Sequence, residues 1–170
     1  GVFNWDAYLG EGALENGVKI TISPWRKFHS SSFPTVAKAN GQYLNSVLAV
    51  RDAKEKGFDE ALLLNQDGTI AEGAGQNLFV INNDTLYTNA EESSILMGIT
   101  RDTVIQLARQ KGYKVKIAPL SLGQLFTANE VFFTGTASEI TPVSSVDRRK
   151  VNHGKPGKIT KQLQENYLDV

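Results

Sequence analysis

Lys38 stands in a run of small and polar residues, FPTVAKANGQYLNS (33–46). A lysine acts as a nucleophile only when its amine loses its proton near neutral pH, which desolvation or a nearby cation brings about. The small residues on either side leave room next to the side chain, and Tyr43 supplies a hydroxyl. The residues alone favour an ordinary solvated lysine, since lysines are rarely buried. A nucleophilic lysine is the alternative that this context allows.

A second candidate is Glu72 in the stretch AEGAGQNLF (71–79). The glycines on both sides of Ala74 permit a tight turn and the close approach of another group. A buried Glu72 would need a partner, and a protonated ring nitrogen would serve. Spacing alone favours the other interpretation, a hairpin corner with an exposed acid.

Two stretches have the residues of an anion site. MGITRD places Gly98, Ile99 and Thr100 at the start of a predicted helix, where free N–H groups and the helix dipole suit a phosphate. FFTGTASEITPV places Gly135 and Thr136 directly after a predicted strand, another place where N–H groups and a hydroxyl can converge. Each signal alone is weak, because capping residues occur at most helices.

Composition excludes several classes of function. The 170 residues contain 18 basic and 18 acidic side chains, so no charge excess indicates nucleic acid or an acidic membrane surface. The absence of cysteine and the two isolated histidines, His29 and His153, argue against a metal site. No apolar run reaches bilayer length and no signal peptide is present, so we expect a cytoplasmic protein with no membrane or nucleic-acid partner.

The chemical candidates fall on a mixture of predicted strands and helices. Alternation and turn signals predict strands in VKITIS (18–23), EALLLNQDGTIAEG (60–73), NLFVINNDTLYT (77–88), YKVKIAPL (113–120) and NEVFFTGTASEITPV (129–143). Helical patterns run from Lys38 to a stop at Gly57, through MGITRDTVIQLARQKG (97–112), and in the tail from 158. The irregular mixture predicts an α+β (mixed α/β) class in one domain, 1–170.

Taken in order, five segments resemble one family. FNWDAYLGEGALENG (3–17), FPTVAKANGQYLNS, IAEGAGQNLFV (70–80), GITRD (98–102) and VFFTGTASEITPV (131–143) are similar to the fold-type IV pyridoxal-phosphate aminotransferases, and among them to the bacterial branched-chain amino acid enzymes. The resemblance runs from near residue 3 to about 147. It implies the C-terminal pseudo-barrel domain of the D-amino acid aminotransferase-like fold and pyridoxal 5′-phosphate as cofactor.

The resemblance also implies roles around the cofactor ring. Lys38 falls where the family carries its Schiff-base lysine, which later moves a proton between the substrate Cα and the cofactor. Glu72 aligns with the acid that pairs the ring nitrogen, and a protonated nitrogen makes the ring an electron sink. Tyr43 aligns with the tyrosine that hydrogen-bonds the ring hydroxyl.

Further positions correspond to phosphate and substrate contacts. Ile99, Thr100 and Thr136 match the phosphate-binding positions. The Thr136–Ala137 turn matches the place where backbone N–H groups meet the substrate carboxylate. Trp5 and Tyr8 match aromatic residues near the substrate side-chain pocket.

The sequence departs from the family pattern in three respects. Asn40 stands where we expect glycine, and Gln76 stands where we expect glutamate. The family's smaller N-terminal domain has no counterpart in these 170 residues. In the family, that domain supplies the arginine that completes the phosphate site and several residues on the substrate side. We therefore expect this chain to be the C-terminal domain alone and inactive by itself.

The leading hypothesis is an enzyme that transfers an amino group between branched-chain L-amino acids and 2-oxoglutarate, as at least a homodimer. Two alternatives share the scaffold: D-amino acid aminotransferase and aminodeoxychorismate lyase. A third alternative is of another class, a truncated module that binds the cofactor or phosphate without turnover.

Overall fold

The computed structural model describes residues 8–10 and 12–168. Its helices are α1 (Ala13–Asn16), α2 (Tyr43–Glu55), α3 (Ile99–Gln110), α4 (Leu122–Phe126) and α5 (Lys158–Leu168). Its strands are β1 (Val18–Arg26), β2 (Glu60–Leu64), β3 (Ile70–Gly73), β4 (Asn77–Asn82), β5 (Thr85–Thr88), β6 (Lys114–Ile117), β7 (Glu130–Gly135), β8 (Glu139–Val146) and β9 (Arg149–Lys150). The mixed α/β class is confirmed. None of the helices in the described part of the chain is both long and apolar enough to cross a membrane.

The strands form one mixed sheet in the order β3-β2-β1-β8-β7-β4-β5-β6, with β9 paired to β8. The central strand β1 runs parallel to both β2 and β8, whereas β2–β3, β7–β8, β4–β7 and β4–β5 are antiparallel. A short turn joins β3 directly to β4, although four other strands lie between them in the sheet order. The sheet must therefore curl, which confirms the predicted pseudo-barrel.

Side chains on the two faces of the sheet belong to three hydrophobic clusters. Leu78 and Val80 of β4 join a core with residues of β1, β2, β3, β7 and β8, which fills the inside of the curl. Phe79 and Ile81 point the other way and pack with α3 and α5. The helix α2 places Ala49 and Ala53 against β2. This alternation, with its period of two, is the one that the sequence predicts for strands.

Local sequence signals explain where most elements begin and end. The β4–β5 hairpin turns at Asn83 and Asp84, which both have positive φ, as a tight two-residue hairpin requires. The helix α3 ends at a C-cap lysine followed by Gly112, whose φ of +83° suits a left-handed stop. The predicted hairpins, the helix over 97–112 and the tail helix are all confirmed.

The prediction that a helix starts at Lys38 was wrong. Ala39 is extended, with φ −90° and ψ 142°, a 3₁₀ turn follows at Asn40–Gln42, and α2 begins only at Tyr43. The Gln42 side chain donates to the carbonyl of Ala37 at 2.9 Å, which stabilises the extended segment. Lys38 therefore lies in the loop before the helix.

Candidate active site

The residues predicted to hold the cofactor line one cavity of about 350 Å³. It lies between the loop before α2, the β3–β4 turn, the start of α3 and the end of β7. Six residues singled out from the sequence line it: Lys38, Tyr43, Glu72, Ile99, Thr100 and Thr136. These residues come from four segments that are distant in sequence, and the curled sheet brings them together in space.

Glu72 lies on β3 and is buried, so the expectation of an exposed acid at a hairpin corner was wrong. Its Oε1 lies 2.7 Å from Nζ of Lys27. Its Oε2 accepts hydrogen bonds from Asn77 Nδ2 and from the backbone N–H of Leu96, both at 3.0 Å. Burial raises the pKa of Glu72, while the Lys27 ammonium and the Leu96 N–H oppose that rise. The carboxylate is thus fixed by three donors.

Lys27 is a site residue that our sequence reasoning missed. Its backbone follows β1 and is held by two hydrogen bonds. The Lys27 N–H donates to the carbonyl of Leu64 at 2.9 Å, and the Lys27 carbonyl accepts from Nε2 of Gln66 at 3.0 Å. The side chain is buried and lines the same cavity. The signal in the sequence was a pair of basic residues, Arg26 and Lys27, at the end of an apolar strand that we had ended at Ser23.

Lys38 and Tyr43 line the same cavity, from the loop before α2 and from its first turn. Lys38 is exposed, and the described residues include no ion pair to it. Tyr43 is half-buried at the start of the helix. Of the two lysines at the cavity, Lys27 is held by a carboxylate and Lys38 is the amine that can reach a ligand.

The start of α3 forms the polar end of the cavity. Its N-cap is Gly98, which provides no side-chain cap, and the first helical residues, Ile99 and Thr100, follow. The first N–H groups of a helix lack intrahelical partners. Thr134 also lines this cavity, and its hydroxyl is buried with no hydrogen-bond partner in the described structure. Thr136 completes this end from the β7–β8 turn.

The β3–β4 turn brings backbone close to the cavity. A Cβ on Gly73 would lie 2.6 Å from Oε1 of Gln76 and 2.9 Å from the ring of Phe133, so only glycine fits. Gln76 donates to the buried Glu60 at 3.0 Å, which makes it a neutral partner for that carboxylate. The glycine-rich stretch thus permits close approach, as its composition predicts.

The predicted substrate residues are less fully described. Trp5 lies outside the described residues. Tyr8 lies in an adjoining depression that shares Tyr43, Ser46 and Ala74 with the main cavity. Burial raises the pKa of the Tyr8 hydroxyl, and the nearby Glu60 adds to that rise. Ala137 is exposed in the turn after β7 and is absent from the cavity lining among the described residues.

Comparison with known proteins identifies relatives in both sequence and fold. Residues 3–146 match the amino-transferase class IV family. A branched-chain-amino-acid aminotransferase from Pseudomonas aeruginosa is 42% identical over 168 residues, covering 99% of this chain and 54% of that protein. The crystal structure of the Escherichia coli branched-chain amino acid aminotransferase superposes with a TM-score of 0.97 at 44% identity, covering 99% of this chain and 55% of that one. The branched-chain amino acid aminotransferase from Thermobaculum terrenum was solved in its PLP (holo) form. It superposes with a TM-score of 0.87 at 40% identity, covering 89% of this chain and 50% of that one.

The fold and the cavity define a fold-type IV, pseudo-barrel protein. The chain belongs to the class IV aminotransferase family. It spans about half the length of the curated relatives that it matches.

Proposed function

We propose that this chain forms the cofactor-binding domain of a pyridoxal-phosphate-dependent enzyme that moves an amino group between branched-chain L-amino acids and 2-oxoglutarate. The observation that carries the proposal is the convergence of a reachable amine, a carboxylate fixed by three donors and a helix N-terminus on one cavity. The likeness to enzymes named branched-chain aminotransferases, one of them solved in its PLP form, supports the same substrate class and cofactor.

The residues present fit pyridoxal phosphate. The orphan hydroxyl of Thr134 and the first N–H groups of α3 offer donors that a phosphate can use. Among the described residues, Oε1 of Glu72 is paired with Nζ of Lys27. This oxygen can accept a second hydrogen bond, which a protonated ring nitrogen would provide. Lys38 and Tyr43 lie at the same cavity as an amine and a phenol. The bound cofactor would supply an electron-withdrawing ring that takes up the electron pair of the broken Cα–H bond.

Each residue has a role that its position supports. Lys38 would bind the cofactor covalently and, once substrate displaces it, would carry the proton that leaves and returns to carbon. Glu72 would hold a proton on the ring nitrogen through a charge-assisted hydrogen bond. Tyr43 would hydrogen-bond the ring hydroxyl, while Ile99, Thr100 and Thr136 would hold the phosphate.

Substrate selection would depend on an apolar pocket next to Tyr8, while the Thr136–Ala137 turn would bind the carboxylate. Trp5, which the family resemblance assigns to the same pocket, lies outside the described residues. Each buried CH₂ contributes about 0.8 kcal/mol. One methylene changes discrimination by only about 1–3 kcal/mol, so we expect leucine, isoleucine and valine all to react.

Reduction with borohydride tests the central assignment. Pyridoxal phosphate bound to the complete protein is reduced, and peptide mapping locates the modified lysine. We expect the label on Lys38, because Lys27 is paired with Glu72 at 2.7 Å. A label on Lys27 would refute the role of Lys38.

A substrate panel then separates the alternatives. Leucine-dependent glutamate formation supports the proposal. Reaction with D-alanine or with aminodeoxychorismate indicates the other two enzymes on this scaffold, and binding without turnover indicates a non-catalytic module.

We further propose that the 170 residues act as a C-terminal domain within a larger homo-oligomeric, cytoplasmic enzyme and do not transaminate alone. The supporting observation is exposure at the site: Ile99 is 76% exposed, and Lys38 is exposed as well. Water in an open site weakens every electrostatic interaction that the chemistry uses. Leucine-dependent glutamate formation by the purified 170-residue chain, at the rate of the complete protein, would refute this.

A further inference from the structure

A buried ion pair lines the cavity, and the function proposed above gives its lysine no part. The side chains of Lys27 and Glu72 are 4% and 6% exposed, and 2.7 Å separates Nζ from Oε1. Among the described residues, the ion pairs other than this one lie on α2 and at its C-terminal end, between residues four positions apart, with side chains 26–78% exposed. Removing both charges from water costs desolvation free energy, which can exceed the attraction between them. The pair is therefore weak evidence for a role in stability, and a role at the cavity is the alternative.

The carboxylate of Glu72 uses its two oxygens differently. Oε2 accepts from Asn77 Nδ2 and from Leu96 N–H, so both of its lone pairs are engaged. Oε1 accepts from Lys27 and keeps one lone pair for another donor. A ring nitrogen that donates to Glu72 would therefore share Oε1 with Lys27.

Burial of Glu72 would favour its protonated form if no cation lay beside it. A protonated acid would offer an O–H where an acceptor is needed, and its orientation would no longer be fixed by an ion pair. We propose that Lys27 is a positioning residue that keeps Glu72 ionised and holds its Oε1 for a protonated ring nitrogen. This inference rests on the proposed function for the cofactor, but the pair itself can be tested in cofactor-free protein.

Few other charged groups of the described residues line the cavity with this pair. They are the titratable side chains of Lys38 and Tyr43, on the segment before α2 and its first turn. The neighbouring acid, Glu60, has Gln76 and Lys54 as its partners instead. Lys27 is therefore the group whose removal should change the protonation of Glu72 most.

The two halves of the pair should change stability with pH in opposite directions. In Lys27→Met, the unpaired Glu72 has a folded-state pKa that is raised further above its unfolded value. Protonated Glu72 then adds to the free energy of unfolding at low pH, and this contribution is lost as pH rises. In Glu72→Gln, an unpaired buried Lys27 has a depressed pKa, so stability is lost as pH falls. The double variant lacks both groups and should show neither trend.

The experiment measures the thermal midpoint of the complete, cofactor-free protein from pH 5 to 8. Lys27→Arg should restore the wild-type curve, because it keeps the cation. Lys56→Met, which removes a lysine from an exposed ion pair at the end of α2, is the matched control and should change nothing with pH. Parallel curves for Lys27→Met and wild type would overturn the inference.

Turnover with pyridoxal phosphate and leucine provides the second measurement. We expect kcat to fall at least tenfold in Lys27→Met with the leucine KM within threefold, and to recover to within threefold of wild type in Lys27→Arg. An unchanged kcat in Lys27→Met would also overturn the inference. A wild-type protein without transaminase activity would instead refute the proposed function, so the two failures are distinguishable.

Discussion

Gly157 lies directly before α5, and we predict that its substitution by alanine destabilises the protein. A Cβ at this position would overlap Cγ, Cδ and Oε1 of Glu130. That carboxylate caps the helix: it accepts from the N–H groups of Ile159 at 3.1 Å and Thr160 at 2.8 Å, and from the Thr160 hydroxyl at 2.6 Å. The side chain would have to rotate away and give up all three hydrogen bonds.

The expected cost follows from these contacts. A hydrogen bond to a charged group contributes about 1.5–3 kcal/mol, and a carboxylate at a helix N-terminus gains about 0.3–1 kcal/mol from the dipole. Replacing glycine by alanine returns about 0.4–1 kcal/mol through the unfolded chain. Because the three bonds share one carboxylate, we expect a net loss of about 2–3 kcal/mol in the free energy of unfolding.

Urea denaturation of the complete protein measures this loss. Gly123→Ala within α4 is the matched control, since the nearest atom to its added Cβ is Oγ of Ser121 at 3.7 Å. In a Glu130→Ala background the overlap is gone, so Gly157→Ala should then cost less than about 0.5 kcal/mol. If Gly157→Ala costs the same in both backgrounds, or nothing in wild type, the capping argument is wrong.

Three further predictions concern the cavity and its surroundings. Lys38→Ala should abolish turnover and the covalent cofactor absorbance while some cofactor still binds through its phosphate; normal turnover would contradict the assignment. Glu72→Gln should slow proton abstraction from substrate strongly, because an amide cannot hold a pyridinium, and a change of less than about threefold, under about 1 kcal/mol of barrier, would exclude that role. Burial raises the pKa of Glu60, so its contribution to stability is present below its unfolded pKa and lost as pH rises. The thermal midpoint of Glu60→Gln should therefore rise relative to wild type from pH 4 to 8, and an unchanged difference would show that Glu60 carries no such penalty.

Periodicity and turn chemistry predicted most of the fold because these elements follow local rules. The Asn83–Asp84 turn and the stop at Gly112 are examples in which the residue type itself permits the required backbone. The short helix α4 was missed although its signal was present: Ser121 and Gln124 form a capping box. The late start of α2 could not be predicted, because an extended Ala39 depends on the loop contacts around it.

The candidate site was predictable only where a local motif marked it. Glu72 shows the limit: its spacing indicates a hairpin corner, and its burial depends on the curl of the whole sheet, which local spacing does not indicate. Lys27 shows the same limit: the basic pair Arg26–Lys27 is visible in the sequence at the end of β1, but it does not indicate which carboxylate the Lys27 ammonium will meet on β3. Resemblance to a family supplied the proposed role of Glu72, but the ammonium beside that carboxylate is visible only in three dimensions.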